Sequence, residues 1–258
     1  MIPLPDYPQG ANLLRDKVVV VTAAAGTGIG SAVARRCLEE GAAVVLSDAH
    51  ERRLGEKADE LAGLGAVHAI PCDVTAEEQV QALVDGAVRR FGRIDVLVNN
   101  AGLGGSRSIL DMTDEEWSRV VDVTLNGTFR ATRAAARRFL AQGGGGAIVN
   151  NASVVGWRAQ AEQAHYAAAK AGVMALTRCA AVDVAPHGIR VNAVAPSLAM
   201  HPFLAKVTTE ELLAELTERE VSGRAAEPWE VANVMVFLAS DLASYLTGEV
   251  VSVSSQHP

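Results

Sequence analysis

Apolar residues along this chain alternate between two habits: short continuous runs, and longer stretches in which they recur every three or four positions. The β-branched run Lys17 to Thr22 reads as a buried strand. Ala43 to Ser47, Val67 to Pro71, Ile94 to Val98, Ala147 to Asn150, Ile189 to Val194 and Glu249 to Val253 read as six more. Helical periodicity fills the intervals: Ile29 to Glu40, His50 to Leu64, Thr75 to Phe91, Thr113 to Leu140, His165 to Ala185, Phe203 to Val221 and Pro228 to Ser240. Gly41 and Gly65 are expected to close the first two helices. Thr75 with Glu78, and Thr113 with Glu116, have the spacing of capping boxes, and Pro228 stands in a first-turn position. The glycine run Gly143 to Gly146 reads as a flexible surface turn.

Strand and helix alternating in this way predict an α/β fold: a Rossmann-type, doubly wound sheet of about seven parallel strands flanked by helices, in a single domain. Residues 1–14 form an N-terminal extension. Residues 15–258 form the dinucleotide-binding domain, with a charged helical segment at about 198–222 as a candidate lid. No internal repeat or linker interrupts residues 15–254.

Composition narrows the function classes. The 258 residues carry a net charge of −7, which argues against a nucleic-acid partner. The pairs Arg35-Arg36, Arg52-Arg53, Arg89-Arg90 and Arg137-Arg138 fit solvated helix faces. Cys37, Cys72 and Cys179 are too far apart for a metal knuckle, so no metal is expected, and all three fit buried small hydrophobes. The proline-bearing N-terminus has no apolar stretch, and no segment approaches the ~20 apolar residues of a membrane span. A cytoplasmic protein without a membrane partner is expected.

The chemistry begins after the first strand. Ala25, Gly26, Thr27, Gly28, Ile29 and Gly30 lead from strand into helix, where glycines let the backbone approach a pyrophosphate and the helix N-terminus offers free N–H groups. Asp48 ends the second strand, where a carboxylate can accept from an adenosine ribose and repel a 2′-phosphate. That favours NAD over NADP, although Arg52 and Arg53 follow closely and leave NADP possible. The alternative for Asp48 is a cap for the next helix. Asp73, with Val74 beside it, can read the adenine edge or can simply make a turn. Asn99-Asn100-Ala101-Gly102 ends the fourth strand as a wall of amides and small residues.

Tyr166 and Lys170 stand one helical turn apart on one face. A nearby ammonium is expected to lower the tyrosine pKa from its usual ~10 and make Tyr166 an acid/base near neutral pH. Ser153, at the end of a strand, can hold a substrate oxygen.

These motifs, with Ile189-Arg190-Val191-Asn192-Ala193-Val194-Ala195-Pro196, resemble the short-chain dehydrogenase/reductase family across residues 15–253. The resemblance implies that Tyr166 is the general acid/base, Ser153 orients the carbonyl, and Lys170 holds the nicotinamide ribose. It implies direct hydride transfer between the nicotinamide and a carbinol carbon, with Pro196 and Ser197 among the cofactor contacts.

Four departures stand out. The family's first loop glycine falls at Ala24 and its threonine at Ala23, or Thr22-Ala23 fills that role with one residue inserted. The family's fourth catalytic residue, an asparagine, is replaced by Thr124, which either anchors a water or is only a helix residue. Asn126 should point to another face. Ser197 follows Pro196 where glycine is usual, losing freedom at positive φ. The tail reads Ser254-Ser255-Gln256-His257-Pro258.

The substrate should lie among 101–109, 154–163 and 198–221, against Gly104, Arg107, Val154, Trp157, Arg158, Gln160, Met200, His201 and Phe203. Apolar groups beside arginines suit a bulky hydrophobic ketone bearing an acid or coenzyme A thioester. The chain most resembles actinobacterial family members of sterol ring catabolism. A 3-oxoacyl thioester reductase is the alternative enzyme, and a nucleotide-binding scaffold or sensor the alternative from another class. The resemblance further implies a homotetramer or dimer joined through the helices at 113–140 and 165–185.

Overall fold

A computed structural model of the chain describes residues 2–202 and 210–255. Seven strands, β1 (Val18–Val21), β2 (Ala43–Asp48), β3 (Val67–Pro71), β4 (Val96–Asn99), β5 (Gly146–Asn151), β6 (Ile189–Pro196) and β7 (Val250–Val253), form one sheet in the order β3-β2-β1-β4-β5-β6-β7. Every pairing is parallel. The helices described are α1 (Ile29–Glu39), α2 (Glu51–Leu61), α3 (Glu77–Phe91), α4 (Asp114–Val121), α5 (Gly127–Gln142), α6 (Ala164–Val184), α7 (Glu210–Glu218) and α8 (Pro228–Ala239).

The valine run of β1 is buried throughout because both faces of the sheet are covered. Val19 and Val21 join one core with Val33 and Cys37 of α1 and Met235 of α8. Val18 and Val20 join the other with Leu83 of α3 and Phe139 of α5. Successive residues of a strand point to opposite faces, so one short run serves both cores. Each such buried side chain contributes about 1.5–3 kcal/mol.

Helix ends divide into those that follow the local signal and those that do not. Thr113 and Glu116 close a reciprocal capping box on α4. Thr75 does not cap α3, which begins at Glu77 behind Ala76. Its hydroxyl donates instead to Asp73 Oδ1 at 2.7 Å, a local turn that outcompetes the cap. The stretch expected as one helix over 113–140 is broken by a π-turn at Asp122–Asn126. The glycine run is no loose turn. A Cβ on Gly145 would lie 2.4 Å from the Gly188 carbonyl oxygen, and one on Gly146 would lie 2.6 Å from the Phe139 ring.

The N-terminal extension is packed in place around a buried arginine, so Arg36 does not belong to a solvated face. Arg36 pairs with Glu40 at 2.6 Å and Glu39 at 2.8 Å. Glu40 in turn accepts from the backbone N–H groups of Ala11 and Leu13. Tyr7 lies edge-on to Trp229 of α8, and Ile2 donates to the Ser222 carbonyl at 2.8 Å. Cys37 and Cys72 are buried as expected, and burial pushes their thiols up to about 12 and about 11. Cys179 is exposed on α6 instead, on a helix flank that no core covers.

Candidate active site

The strand order reverses between β1 and β4, and the carboxyl ends of both strands open into one crevice. Gly28 caps α1 with extended backbone and no side-chain cap, leaving the helix's first N–H groups to a ligand. A Cβ on Gly30 would meet the Ala23 carbonyl oxygen and Asn100 Nδ2, each at 2.4 Å, so Gly30 serves close helix–strand packing. A Cβ on Gly26 would come within 4 Å only of the Gly28 nitrogen, at 3.9 Å. One on Gly28 would meet only the His201 ring, from 3.4 Å. The loop is therefore an open cradle of the kind a pyrophosphate fills.

Ala23 holds a left-handed φ of 51°. The Thr22 hydroxyl accepts from the N–H groups of Asn100 and Ala101, each at 3.0 Å. Thr22-Ala23, with one extra residue before Gly28, thus stand in for the family's opening threonine and glycine. Ser197 is not among the positive-φ residues described, so glycine's freedom is not needed there.

Asp48 Oδ2 accepts from Ala25 N–H at 3.2 Å and Oδ1 from His50 N–H at 2.9 Å. The carboxylate bridges the glycine loop and the entry to α2. Asp73 is engaged by Thr75, and Val74 is buried beside it, 2.6 Å from where a Gly127 Cβ would stand.

A polar chain links the cradle to Lys170. Asn100 Nδ2 donates to the carbonyls of Thr22 and Ala23, and Asn100 Oδ1 accepts from Asn151 Nδ2 at 3.0 Å. The Asn151 carbonyl accepts from Lys170 Nζ at 2.5 Å. Asn151 Oδ1 is buried without a partner, an acceptor left over at the cofactor wall. A Cβ on Gly102 would lie 3.4 Å from Lys170 Nζ, so the absence of a side chain there keeps that ammonium reachable. Sequence reasoning named Thr22 only as one of two alternatives for the loop's opening and missed Asn151 as an organiser. The available signal was their position at the carboxyl ends of adjacent runs.

Ser153 follows β5, its hydroxyl accepting from Val155 N–H at 3.4 Å, and burial pushes the Tyr166 phenol up to about 12 against a smaller lowering by that hydroxyl. The expected lowering by Lys170 is absent. Its Nζ stands 5.5 Å from the ring centroid and is directed at Asn151. Burial brings Lys170 down to about 8. In the protein alone burial therefore favours the Tyr166 phenol over the tyrosinate.

Thr124 is fully buried in the π-turn, while Asn126 is exposed and bonded to Asp122, as their spacing foretold. Thr124 Oγ1 accepts from Leu103 N–H at 3.0 Å and donates to the Leu103 carbonyl at 3.2 Å. Its one proton is committed to anchoring the loop after β4, and only acceptor capacity remains.

The substrate candidates separate. Gly104 lies against Tyr166, a Cβ there falling 3.8 Å from the ring. Val154 is buried, Trp157 is half exposed, and Arg158 and Gln160 are partly buried on the same loop. Arg107 is paired with Glu116 at 2.9 Å. Met200 donates its N–H to the Ala226 carbonyl at 2.9 Å. The His201 ring stands against Gly28, on the dinucleotide side of the crevice, and burial lowers its pKa. Phe203 and the tail residues Gln256, His257 and Pro258 lie outside the described residues.

A family model described as enoyl-(acyl carrier protein) reductase matches residues 23–255. A crystal structure titled as a short chain dehydrogenase from Mycobacterium smegmatis superposes with a TM-score of 0.89 at 59% identity, covering 99% of each chain. The chain belongs to the short-chain dehydrogenase/reductase family. As a member it is an oxidoreductase that interconverts an alcohol and a ketone with an NAD(P) nucleotide. Among relatives in this family, (5R,7aS)-5-hydroxy-7a-methyl-1-oxo-2,3,5,6,7,7a-hexahydro-1H-indene-carboxyl-CoA reductase of Mycobacterium tuberculosis is 65% identical over 251 residues, 96% of each chain. Cis-4-hydroxycyclohexanecarboxylate dehydrogenase of Sinomonas cyclohexanicum is 44% identical, covering 92% of this chain and 95% of that one. No helix among the described residues is long and apolar enough to cross a membrane, and no metal-binding cluster occurs among them.

Proposed function

We propose that this chain interconverts a secondary alcohol and a ketone on a rigid, ring-bearing acid carried as its coenzyme A thioester, with NAD preferred. The observation that carries the chemistry is the meeting of Ser153, Tyr166 and Lys170 at the mouth of the crevice, next to an open glycine cradle. The ring substrate is supported by the apolar wall of Val154 and Trp157 and by two relatives whose names specify ring acids.

A reduced nicotinamide, when bound, supplies the hydride. Gly26, Gly28 and the N-terminus of α1 would hold the pyrophosphate, with His201 beside the cradle. Lys170 and Asn151 would take the nicotinamide ribose, and Asn100, Ala101, Gly102, Pro196 and Ser197 would contact the nicotinamide. Asp48, bonded to Ala25 N–H, would disfavour a 2′-phosphate, and Arg52, which could attract one, is paired with Glu56 at 2.5 Å. Asp73 and Val74 would contact the adenine.

Ser153 donates to the ketone oxygen and orients it. Tyr166 passes its phenolic proton to that oxygen as negative charge develops there. Burial keeps the proton on Tyr166 at neutral pH, so it is present to be given, and the Ser153 hydroxyl offsets part of the cost of the buried tyrosinate left behind. Thr124 contributes by holding Leu103, and with it the wall beside Lys170.

Self-association as a homotetramer or dimer through α4, α5 and α6 is supported by the exposed Trp117, Phe129, Leu140 and Val182 on those helices. A stable monomer in light scattering at working concentration would remove that part.

The test is reduced-nicotinamide absorbance with a hydrindanone carboxyl-CoA thioester, a linear 3-oxoacyl thioester, and each of NADH and NADPH. Turnover on the ring thioester with NADH is expected. In Tyr166→Phe, kcat should fall by about 10²–10⁴-fold with the cofactor Kd unchanged. Turnover confined to linear thioesters would replace the ring substrate by a 3-oxoacyl one. Tight nucleotide binding without Tyr166-dependent turnover would favour a scaffold.

A further inference from the structure

Glu162 holds a left-handed φ of 61° on the loop between β5 and α6, a conformation that costs a side-chain-bearing residue about 1–2 kcal/mol and that glycine adopts freely. Such a residue persists where its surroundings over-determine it, and here they do so across the crevice. The Glu162 carboxylate accepts from the Ser106 hydroxyl in a short hydrogen bond. The Glu162 carbonyl accepts from Arg107 N–H at 3.0 Å. Its neighbour Gln163 donates Nε2–H to the Gly105 carbonyl at 2.7 Å. Three consecutive residues of the loop after β4 are thus fastened to two consecutive residues that lead directly into α6 and Tyr166.

The fastened loop has few other holds. Thr124 secures Leu103, and the Arg107 side chain reaches Glu116. Between those points Gly104 lies against the Tyr166 ring, and Gly105 lies against the buried His165, whose Nδ1 has no hydrogen-bond partner. Gly104 thus packs against the Tyr166 ring, and its seat there is set by how firmly 105–107 is tied to 162–163.

We propose that Glu162 is a positioning residue, a latch that holds Gly105–Arg107 across the crevice and fixes how the loop after β4 is seated beside Tyr166. This rests on the ring-substrate reading above for its kinetic consequence, but not for its structural one. A loop held in one place suits a flat, rigid ring system. A linear acyl chain adapts to a loop that shifts.

The experiment compares wild type with Glu162→Gly, Glu162→Gln and Ser106→Ala. Glycine keeps the left-handed backbone without strain and removes only the carboxylate, so Glu162→Gly is expected to fold with an unchanged or slightly raised Tm. Hydrogen exchange of the 103–107 amides should speed up in Glu162→Gly and Ser106→Ala, and stay near wild type in Glu162→Gln, which keeps an acceptor. KM for the hydrindanone carboxyl-CoA thioester should rise about tenfold in Glu162→Gly, the scale of one lost charge-assisted hydrogen bond. Its kcat should change less than about twofold, and KM for a linear 3-oxoacyl thioester and the NADH Kd should hold. Unchanged exchange in both Glu162→Gly and Ser106→Ala overturns the latch. So does a loss carried by kcat and the NADH Kd together, which would mark a general disturbance of the site. If wild type turns over no ring thioester, the substrate reading fails, and the exchange comparison still decides the latch.

Discussion

The two sides of the crevice are built on different principles. The dinucleotide side is made of strand ends and a helix terminus. Its glycines have local reasons, and its polar groups, Thr22, Asn100, Asn151 and Lys170, are tied to backbone within a rigid sheet. The side proposed for the substrate is made of loops that hold one another: Ser106 on Glu162, Gln163 on Gly105, Leu103 on Thr124, and Ala226 bonded to both Leu198 and Met200. A site on sheet edges inherits its precision from the fold, whereas a site on loops must make its own. That division fits an oxidoreductase whose cofactor is common to a family and whose substrate is particular to the member.

The comparison breaks most easily at Gly30. Gly30→Ala puts a Cβ 2.4 Å from two atoms of the β1 and β4 ends, so a loss of about 2–3 kcal/mol in denaturant unfolding is expected, with dinucleotide binding lost as well. Gly28→Ala, whose Cβ meets only the side of His201, should leave stability nearly unchanged and weaken the cofactor alone. Equal stability losses in the two variants would mean that the cradle is not the rigid half.

Asp48 sharpens the same contrast within the cofactor site. Asp48→Asn retains an acceptor for the loop while removing the charge. NADPH affinity should rise about tenfold relative to NADH, read by fluorescence titration of both. An unchanged ratio would leave Asp48 only its structural bonds to Ala25 and His50.

A smaller effect follows from Lys170. Its value in the folded chain, about 8, lies below the usual 10.5, so the folded protein gives up this proton first as pH rises. NADH affinity should weaken several-fold as pH rises through about 8, because the ammonium proposed to hold the ribose is lost. Stability should rise with pH between about 8 and 10.5, because the cost of the buried charge is relieved. Lys170→Met should flatten both slopes. A profile for wild type that is already flat would contradict the burial described here.

The smallest effect is expected at Ala23. Ala23→Gly relieves a left-handed φ but adds freedom to the unfolded chain, terms of about 1 kcal/mol each that nearly cancel. A Tm shift beyond a few degrees in either direction would show that the loop's path depends on that methyl group.

How legible the two sides were in sequence follows from the same difference. The seven runs, their order along the chain, Gly28, Gly30, Asp48, Ser153, Tyr166 and Lys170 could be read because each is announced by a local pattern: a β-branched run, a glycine at a helix start, or a one-turn spacing. Thr113 announced its cap truly because nothing nearby competed, whereas Thr75 did not, because Asp73 lay two residues away. The fully buried Thr124 and the exposed Asn126 could be told apart because helical geometry separates them even through a π-turn.

What the amino-acid sequence determined by itself was the alternation of strand and helix, hence a parallel sheet with a glycine cradle at its switch point, and the residues from which the proposed site is drawn. Periodicity and backbone preference act over a few residues. Only the tertiary structure decided that Tyr166 stays a phenol, because burial and the direction of Lys170 toward Asn151 depend on residues from three separate elements. It alone buried Arg36 beneath the N-terminal arm and brought Glu162 against Ser106, 56 positions earlier in the chain. No local pattern carries such pairs, since they exist only once the sheet has set its loops side by side.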